Sequence, residues 1–154
     1  DWLGLLAMLL CGFGWAKPVP VDMRYFKNPK AGMALTALAG PASNFLLALL
    51  AVGGAWLLSV LAPVNALVAW AFYFLLRLAL LSIGLGLFNL IPIPPLDGSK
   101  VLFSLLPERA YYTLMRYERY GMVVMLLIVW LDLGSSYLSA AIQAVYLWMA
   151  GLFF

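Results

Sequence analysis

The longest uncharged stretch of the chain runs from Ala31 to Leu76. A helix rises about 1.5 Å per residue, so a single helix of this length would exceed twice the roughly 30 Å thickness of a bilayer's hydrocarbon core. The stretch must therefore turn once, and Pro63 and Asn65 mark the turn. We expect two transmembrane helices, at about 33–61 and 66–91.

Composition supports a membrane protein over every soluble class. Hydrophobic residues make up 66% of the 154 residues and charged residues only 10%, whereas about a quarter of a typical soluble domain is charged. Disorder is excluded because aromatic residues make up 15% of the chain and the net charge is only +3. The single cysteine, Cys11, excludes an internal disulfide and a cysteine-cluster metal site.

The positions of the few charges divide the chain into segments of one membrane-embedded unit, 1–154. The fold class we expect is an all-α polytopic membrane protein with three to four transmembrane helices, a re-entrant or extended segment, and a helix broken by prolines. Outside the two long spans, the segments are a short apolar or re-entrant stretch at 1–16, a basic loop at 17–30, a charged cytoplasmic or interfacial region at 97–119, and a C-terminal hairpin at 120–154. The last of these is either two short spans or one span plus an interfacial segment.

Charge asymmetry sets the expected orientation. An even number of spans separates the loops at 17–30 and 97–119, both rich in Lys and Arg, while the turn at 62–66 is uncharged. The positive-inside rule then places both basic loops in the cytoplasm. The tyrosines and cations of 109–120 are typical of an interfacial helix at the lipid bilayer, and nucleic-acid binding would need a larger, more exposed basic surface.

The strongest break in the apolar pattern is Asn89-Leu-Ile-Pro-Ile-Pro-Pro-Leu-Asp97-Gly98. Prolines force the preceding residues out of helical geometry, so the second span must unwind here. A carboxylate at the mouth of a broken membrane helix indicates a functional site. The alternative is that Asp97 only begins the loop and caps a helix that starts at Ser99 or Lys100.

Two further features stand inside the spans. Ala39-Gly40-Pro41-Ala42-Ser43-Asn44 combines a small residue for close packing, a kinking proline and an amide one turn later, and interhelical hydrogen bonding is the structural explanation for Asn44. Arg77 lies near the middle of the second span, where we expect it to snorkel or to pair with Asp132.

Together these blocks resemble the site-2 protease family of intramembrane zinc metalloproteases. Asn89-x-x-Pro-x-Pro-x-x-Asp97-Gly98 carries the resemblance, preceded by Gly40-Pro-x-x-Asn44, and Gly14-Trp-Ala-Lys-Pro-Val-Pro-Val21 is similar to the loop before that helix in compact bacterial members. The resemblance implies a bacterial cytoplasmic-membrane protease that acts on transmembrane protein substrates.

The resemblance also implies roles for individual residues. Asp97 would be the third ligand of a catalytic Zn²⁺ whose other two ligands are histidines of an H-E-x-x-H helix. Asn89 and Asn44 would act as catalytic and substrate-binding amides that polarise the scissile carbonyl or hold an extended substrate. Pro92 and Pro94 would contribute to the substrate-binding loop, and residues 17–21 would offer a strand edge to an unwound substrate.

The chain departs from the family in one respect, because it contains no histidine. We expect the histidine helix to lie upstream of Asp1 in a longer parent protein, so that this fragment alone is inactive; the other reading is an inactive relative. Two different classes remain as alternatives: a non-catalytic scaffold that binds transmembrane segments, and a small transporter with a cation at Asp97. The transporter would need a second broken span in an inverted repeat, which the sequence does not show.

Overall fold

The computed structural model describes residues 2–11 and 21–154 of the chain. Within these ranges the protein is helical and contains no strand, which confirms the predicted all-α class. The helices are α1 Trp2–Cys11, α2 Pro29–Leu61, α3 Ala66–Asn89, α4 Asp97–Ser104, α5 Glu108–Trp130 and α6 Ser135–Ala150, with a 3₁₀ turn at Met23–Tyr25 before α2. The Pro-bearing strand edge that we expected at 17–21 lies, apart from Val21, outside the described residues.

A hairpin of α2 and α3 forms the centre of the molecule. Each helix has an asparagine at its N-cap: Asn28 Oδ1 accepts a hydrogen bond from the N–H of Ala31 at 3.2 Å, and Asn65 Oδ1 accepts one from Val68 at 2.9 Å. Such caps satisfy backbone donors that the first helical turn leaves free. The turn between the helices therefore falls at the Pro63–Asn65 signal in the sequence.

Small residues bring the two long helices close together. The buried core combines alanines of α2 and α3 with three larger side chains: Ala48, Ala51, Val52, Ala79, Ile83 and Met149. In a bilayer the lipid is as apolar as the core, so helices associate through close packing rather than through exclusion of water. Met149 belongs to α6, which packs along α3 and closes the core.

Length and hydropathy make two of the described helices, α2 and α3, able to cross a membrane. A third span results if Val123–Trp130 and Ser135–Ala150, which meet at 87°, are counted as one broken crossing. The integral-membrane class is thus confirmed, with two to three spans among the described residues where the sequence predicted three to four. The described part of α1 has ten residues, fewer than the roughly 20 of a full span.

The C-terminal part of the chain is organised by one long helix and one turn. α5 runs without a break from Glu108 to Trp130, so the tyrosine-rich segment and the apolar segment after it share one helix. The turn before α6 uses two left-handed residues, Asp132 at φ 53° and Gly134 at φ 97°. Glycine adopts this conformation without strain, which allows the chain to bend by 87° between α5 and α6 at this point.

A surface ion pair stands before α2. The side chain and the backbone N–H of Arg24 donate hydrogen bonds to the Asp22 carboxylate and hold the pKa of that carboxyl below its ordinary value. Both side chains are exposed, so solvent screens the pair and it contributes little to stability.

Candidate active site

The break after α3 forms a compact loop. The helix ends at Asn89, and short-range hydrogen bonds close the following turns: the N–H of Ile93 donates to Ile91 O at 2.8 Å, and that of Leu96 donates to Ile93 O at 3.0 Å. The peptide bond between Pro94 and Pro95 is cis. The predicted Pro-broken helix is therefore present, and the loop turns the chain from α3 into α4.

Gly98 allows this loop to fold back on the end of α3. A methyl group at Gly98 would lie 2.1 Å from the carbonyl oxygen of Leu90 and 2.7 Å from that of Ile91. Both neighbours are backbone atoms, so neither can move aside without reshaping the loop. The glycine after Asp97 is needed for this close approach, and the approach fixes where α4 begins.

Asp97 is the first residue of α4 and does not cap it. The N-cap is Leu96, and no side chain forms a capping hydrogen bond. Oδ1 of Asp97 lies 3.4 Å from Nζ of Lys100, one turn along the same helix. The alternative in which Asp97 caps a helix starting at Ser99 or Lys100 is therefore wrong. The helix begins two to three residues earlier, and the Asp97 carboxylate accepts no capping hydrogen bond.

The other carboxylate oxygen faces α2. A methyl group at Gly40 would lie 3.3 Å from Oδ2 of Asp97, a separation tighter than most contacts of real Cβ atoms. The side chain of Asp97 is 33% exposed, so it is neither buried in the core nor free in solvent. The structure thus brings together two blocks more than fifty positions apart in sequence, the Gly40 block and the Asp97 block.

Asn44 lies one turn beyond Gly40 on α2. Its side chain is partly buried and makes no hydrogen bond to another described residue, so its donors and acceptor remain available. The next residue, Phe45, packs on Gly86 of α3, where a methyl group would lie 3.1 Å from the ring. Asn44 therefore sits on α2 between the level of Asp97 and the level of the last turn of α3.

Asn89 ends α3 one turn after Gly86. Its Nδ2 donates to the carbonyl oxygen of Leu85 at 2.9 Å, which leaves the amide oxygen available. Of the loop prolines, Pro92 is exposed, whereas Pro94 packs against α5: a methyl group at Gly121 would lie 2.4 Å from its Cβ. The roles in catalysis and substrate binding that we predicted for Asn44, Asn89, Pro92 and Pro94 stay predictions.

A cation on α2 holds the far end of α4. Nζ of Lys30 donates a hydrogen bond to the carbonyl oxygen of Leu106 and lies 5.7 Å from the centre of the buried Tyr111 ring. This cluster ties α2, α4 and α5 together at the same end of the hairpin as Asp97. The sequence predicted neither the contacts of Lys30 nor the contact of Lys100 with Asp97. The i,i+3 spacing of Asp97 and Lys100 was a signal for the second, but no local pattern connects Lys30 with Leu106.

The donor set near Asp97 fits one position of a metal site. Carboxylate oxygen is an accepted zinc ligand, and Asp97 is partly accessible. No group of three His, Cys, Asp or Glu side chains that could hold a metal exists among residues 2–11 and 21–154. These residues therefore fit a single zinc ligand and do not form a complete site by themselves.

Arg77 does not pair with Asp132. Among the described residues it makes no ion pair, and it lines a cleft beside α6 together with Ser139 and Gln143 of that helix. The pairing expected from sequence is therefore absent, and Arg77 takes no part in the Asp97 cluster.

Two comparisons with known proteins identify the family of this chain. The family model described as Peptidase family M50 matches residues 55–131, which include Asn89 and Asp97. A protein of Bacillus subtilis (strain 168) named "Putative zinc metalloprotease YwhC" is 36% identical over 149 residues, covering 94% of this chain and 67% of the relative. The chain belongs to peptidase family M50. This M50 chain is thus a member of the site-2-type zinc metalloproteases, as its motifs indicated. No solved structure matches it.

Proposed function

We propose that this chain supplies part of the active site of an intramembrane zinc metalloprotease that hydrolyses peptide bonds of membrane-embedded or membrane-adjacent protein segments. The observation that carries the proposal is the position of Asp97. It follows the broken end of a transmembrane helix, and its carboxylate lies against Gly40 of the neighbouring span. A charged group at such a place is costly in an apolar surrounding, so an ionisable residue there usually marks a functional site.

Asp97 would be the third zinc ligand, with two histidines contributed by protein outside these 154 residues. Zinc, when bound, supplies a Lewis acid and lowers the pKa of water to about 7, which is chemistry that no side chain of this chain offers. The carboxylate would bind through one oxygen, because Lys100 lies 3.4 Å from Oδ1 while Oδ2 faces α2 at Gly40, where no side chain stands. Groups that contact a ligand in this way orient it toward the metal.

Asn44 and Asn89 would position the substrate. Neutral amides can donate to a carbonyl oxygen on which negative charge develops, without adding charge of their own in the apolar region. Among the described residues the Asn44 amide has no hydrogen-bond partner, and Asn89 retains its oxygen for a substrate N–H. Pro92, exposed on the loop, and Pro94 would shape the surface over which an extended segment lies.

The setting we propose is a bacterial cytoplasmic membrane with both basic regions in the cytoplasm. Lys30 at the start of α2 and Asp97 of α4 lie near one end of the α2–α3 hairpin, and Asn65 lies at the other end. The proposed site would then face the cytoplasmic side, where the positive-inside rule places the Lys- and Arg-rich segments.

A cleavage assay tests the proposal. The full-length protein that contains this chain is reconstituted in vesicles with a labelled transmembrane substrate, and products are identified by mass spectrometry. We expect cleavage by the native protein and a loss of at least about a hundredfold in Asp97→Ala, as for removal of a group that holds the metal. Asp132→Ala, which removes an exposed carboxylate elsewhere, serves as the matched control and should cleave normally.

The same assay separates the proposal from a non-catalytic scaffold, which the absence of histidine in these 154 residues favours. A scaffold would retain the labelled segment on the vesicles and yield no product. Equal cleavage by the native protein and Asp97→Ala would contradict the role of Asp97, even if the protein proved to be a protease.

A further inference from the structure

Lys100 contacts the carboxylate that we assign to the metal. Its Nζ donates a hydrogen bond to Oδ1 of Asp97 at 3.4 Å, from three positions later on α4. Within residues 2–11 and 21–154, neither side chain has another hydrogen-bond or ion-pair partner. Only 24% of the Lys100 side chain is exposed. The lysine is therefore turned toward Asp97 rather than extended into solvent.

The two carboxylate oxygens of Asp97 face different elements. Lys100 of the same helix lies at Oδ1, whereas Oδ2 faces α2, where a methyl group at Gly40 would lie 3.3 Å away. The backbone of Asp97 cannot easily alter this arrangement, because the next residue, Gly98, lies directly against the Leu90 carbonyl. The i,i+3 spacing keeps Lys100 on the same side of α4 as Asp97. One oxygen is thus engaged within the helix, and the other has no partner among the described residues.

The number of carboxylate oxygens that bind a metal decides how many positions remain for water. A carboxylate can bind through one oxygen or through both. A catalytic zinc site has three protein ligands and keeps the fourth position for water or substrate. Binding by the second oxygen would compete for that position. A cation on this oxygen prevents such binding without adding a ligand, because an ammonium group has donors and no acceptor.

We propose that Lys100 is a positioning residue that restricts Asp97 to coordination through Oδ2 and so keeps one position at the metal for water. The inference rests on the proposed function, in which Asp97 is a zinc ligand. The alternative is that the pair only supports α4, as i,i+3 pairs of opposite charge do on many helices. That role would contribute little to stability, since both side chains are partly exposed, and its loss would leave the coordination of the metal unchanged.

The absorption of bound Co²⁺ distinguishes these two roles. Co²⁺ binds to the same nitrogen and oxygen ligands as zinc, and it absorbs visible light strongly when four-coordinate and weakly when five-coordinate. The full-length protein that contains this chain is loaded with Co²⁺ and compared with Lys100→Met, which keeps a long side chain without the charge. We expect the absorption per bound Co²⁺ to fall at least about twofold in Lys100→Met, as the coordination number rises from four to five. Lys100→Arg should restore the native spectrum, because arginine also donates to a carboxylate.

Turnover of the zinc-loaded protein gives a second measurement. Lys100→Met should lower kcat about 10- to 100-fold, as loss of a group that orients a metal ligand does, with little change in KM. Lys27→Met is the matched control, because it removes an exposed cation of another segment. This variant should keep both the native spectrum and the native kcat.

The outcomes separate this inference from the proposed function on which it rests. A native cobalt spectrum and native kcat in Lys100→Met would overturn the role of Lys100 and leave Asp97 as a ligand. A lowered unfolding temperature with an unchanged spectrum would do the same, because it would assign the pair to the stability of α4. Cobalt binding that Asp97→Ala leaves unchanged would overturn the proposed function and this inference together.

Discussion

The position of Asp97 depends on two glycines that act through space rather than through flexibility. Gly98 lets the loop lie directly on the Leu90 carbonyl, and Gly40 lets α2 approach the Asp97 carboxylate. At Gly98 backbone atoms of the loop already occupy the place of a side chain, and at Gly40 an added methyl group would press on the Asp97 carboxylate. The carboxylate is therefore held by the packing of two spans and a loop.

Substitution of Gly40 by Ala should separate folding from metal binding. The added methyl group must displace Oδ2 of Asp97 by a few tenths of an ångström, while alanine favours the helix by about 0.5–1 kcal/mol over glycine. We expect an unfolding temperature equal to or above that of the native protein, together with zinc affinity reduced about 10- to 100-fold, as when a ligand loses its orientation.

The matched control for this measurement is Gly54→Ala in the same helix. A methyl group there meets only Cδ1 of Leu75, at 3.4 Å, which is an ordinary contact. This variant should gain the same helix propensity and keep full zinc affinity. If Gly40→Ala binds zinc as tightly as Gly54→Ala does, the contact between Gly40 and Asp97 has no role in shaping the site.

At the level of elements, α4 is a short helix that other elements hold in place. It has eight residues and no side-chain cap, too short to be stable alone. Its start is fixed by the Gly98 contact, and the chain just after its end is fixed by the bond from Lys30 to Leu106 and by Lys30 on Tyr111. The helix that carries Asp97 therefore depends on the chain just after α3 at its start and on α2 beyond its end.

Replacement of Lys30 by Met should destabilise this arrangement. Methionine keeps a long apolar side chain but loses the charged donor, and such hydrogen bonds contribute about 1.5–3 kcal/mol, with about 0.5–1 kcal/mol for a cation over an aromatic ring. We expect the free energy of unfolding in detergent micelles to fall by about 1–3 kcal/mol, measured by denaturant titration.

Lys27→Met provides the comparison, because Lys27 is an exposed cation of the same segment. Its effect should stay within about 0.5 kcal/mol, as for most surface substitutions. Equal losses in the two variants would mean that the charge of the segment, and not the bond to Leu106, stabilises α4.

The sequence was informative about elements where one physical constraint dominated. The uncharged stretch and its Pro63–Asn65 signal predicted the α2–α3 hairpin, because hydropathy and helix caps are local properties. The extent of α5 was not foreseen, since charge suggested a border near Arg119 whereas the helix continues to Trp130. A change from polar to apolar side chains alters which surroundings a helix prefers and does not interrupt its backbone hydrogen bonds.

For the molecule as a whole, the charge distribution predicts an orientation that labelling can check. In a background from which every cysteine has been removed, Cys11 included, Lys27→Cys and Val64→Cys place single thiols at opposite ends of the α2–α3 hairpin. We expect an impermeant maleimide added to intact bacteria to label position 64, and to label position 27 only after the membrane is opened.

Two outcomes of the labelling would contradict this account. The reverse pattern would place the basic segments outside the cell, against the positive-inside rule. Labelling of both positions from one side would mean that the hairpin does not cross the membrane.

Part of the candidate site could be predicted from the sequence, because its polar residues stand in apolar segments. Asp97, Asn89 and Asn44 stood out because each is polar in an apolar context. Their surroundings did not: the contact of Asp97 with Gly40 joins two distant spans, and that of Lys30 with Leu106 joins residues 76 positions apart. Such pairs arise from tertiary packing, which leaves no local pattern.

The zinc content of the purified protein tests directly whether Asp97 is a ligand of the catalytic zinc. The full-length protein that contains this chain is purified in the presence of zinc and analysed by mass spectrometry for bound metal. We expect one zinc per native molecule, as for a catalytic site with three protein ligands, the same in Asp132→Ala, and far less than one in Asp97→Ala. Full zinc occupancy with unchanged affinity in folded Asp97→Ala would contradict it.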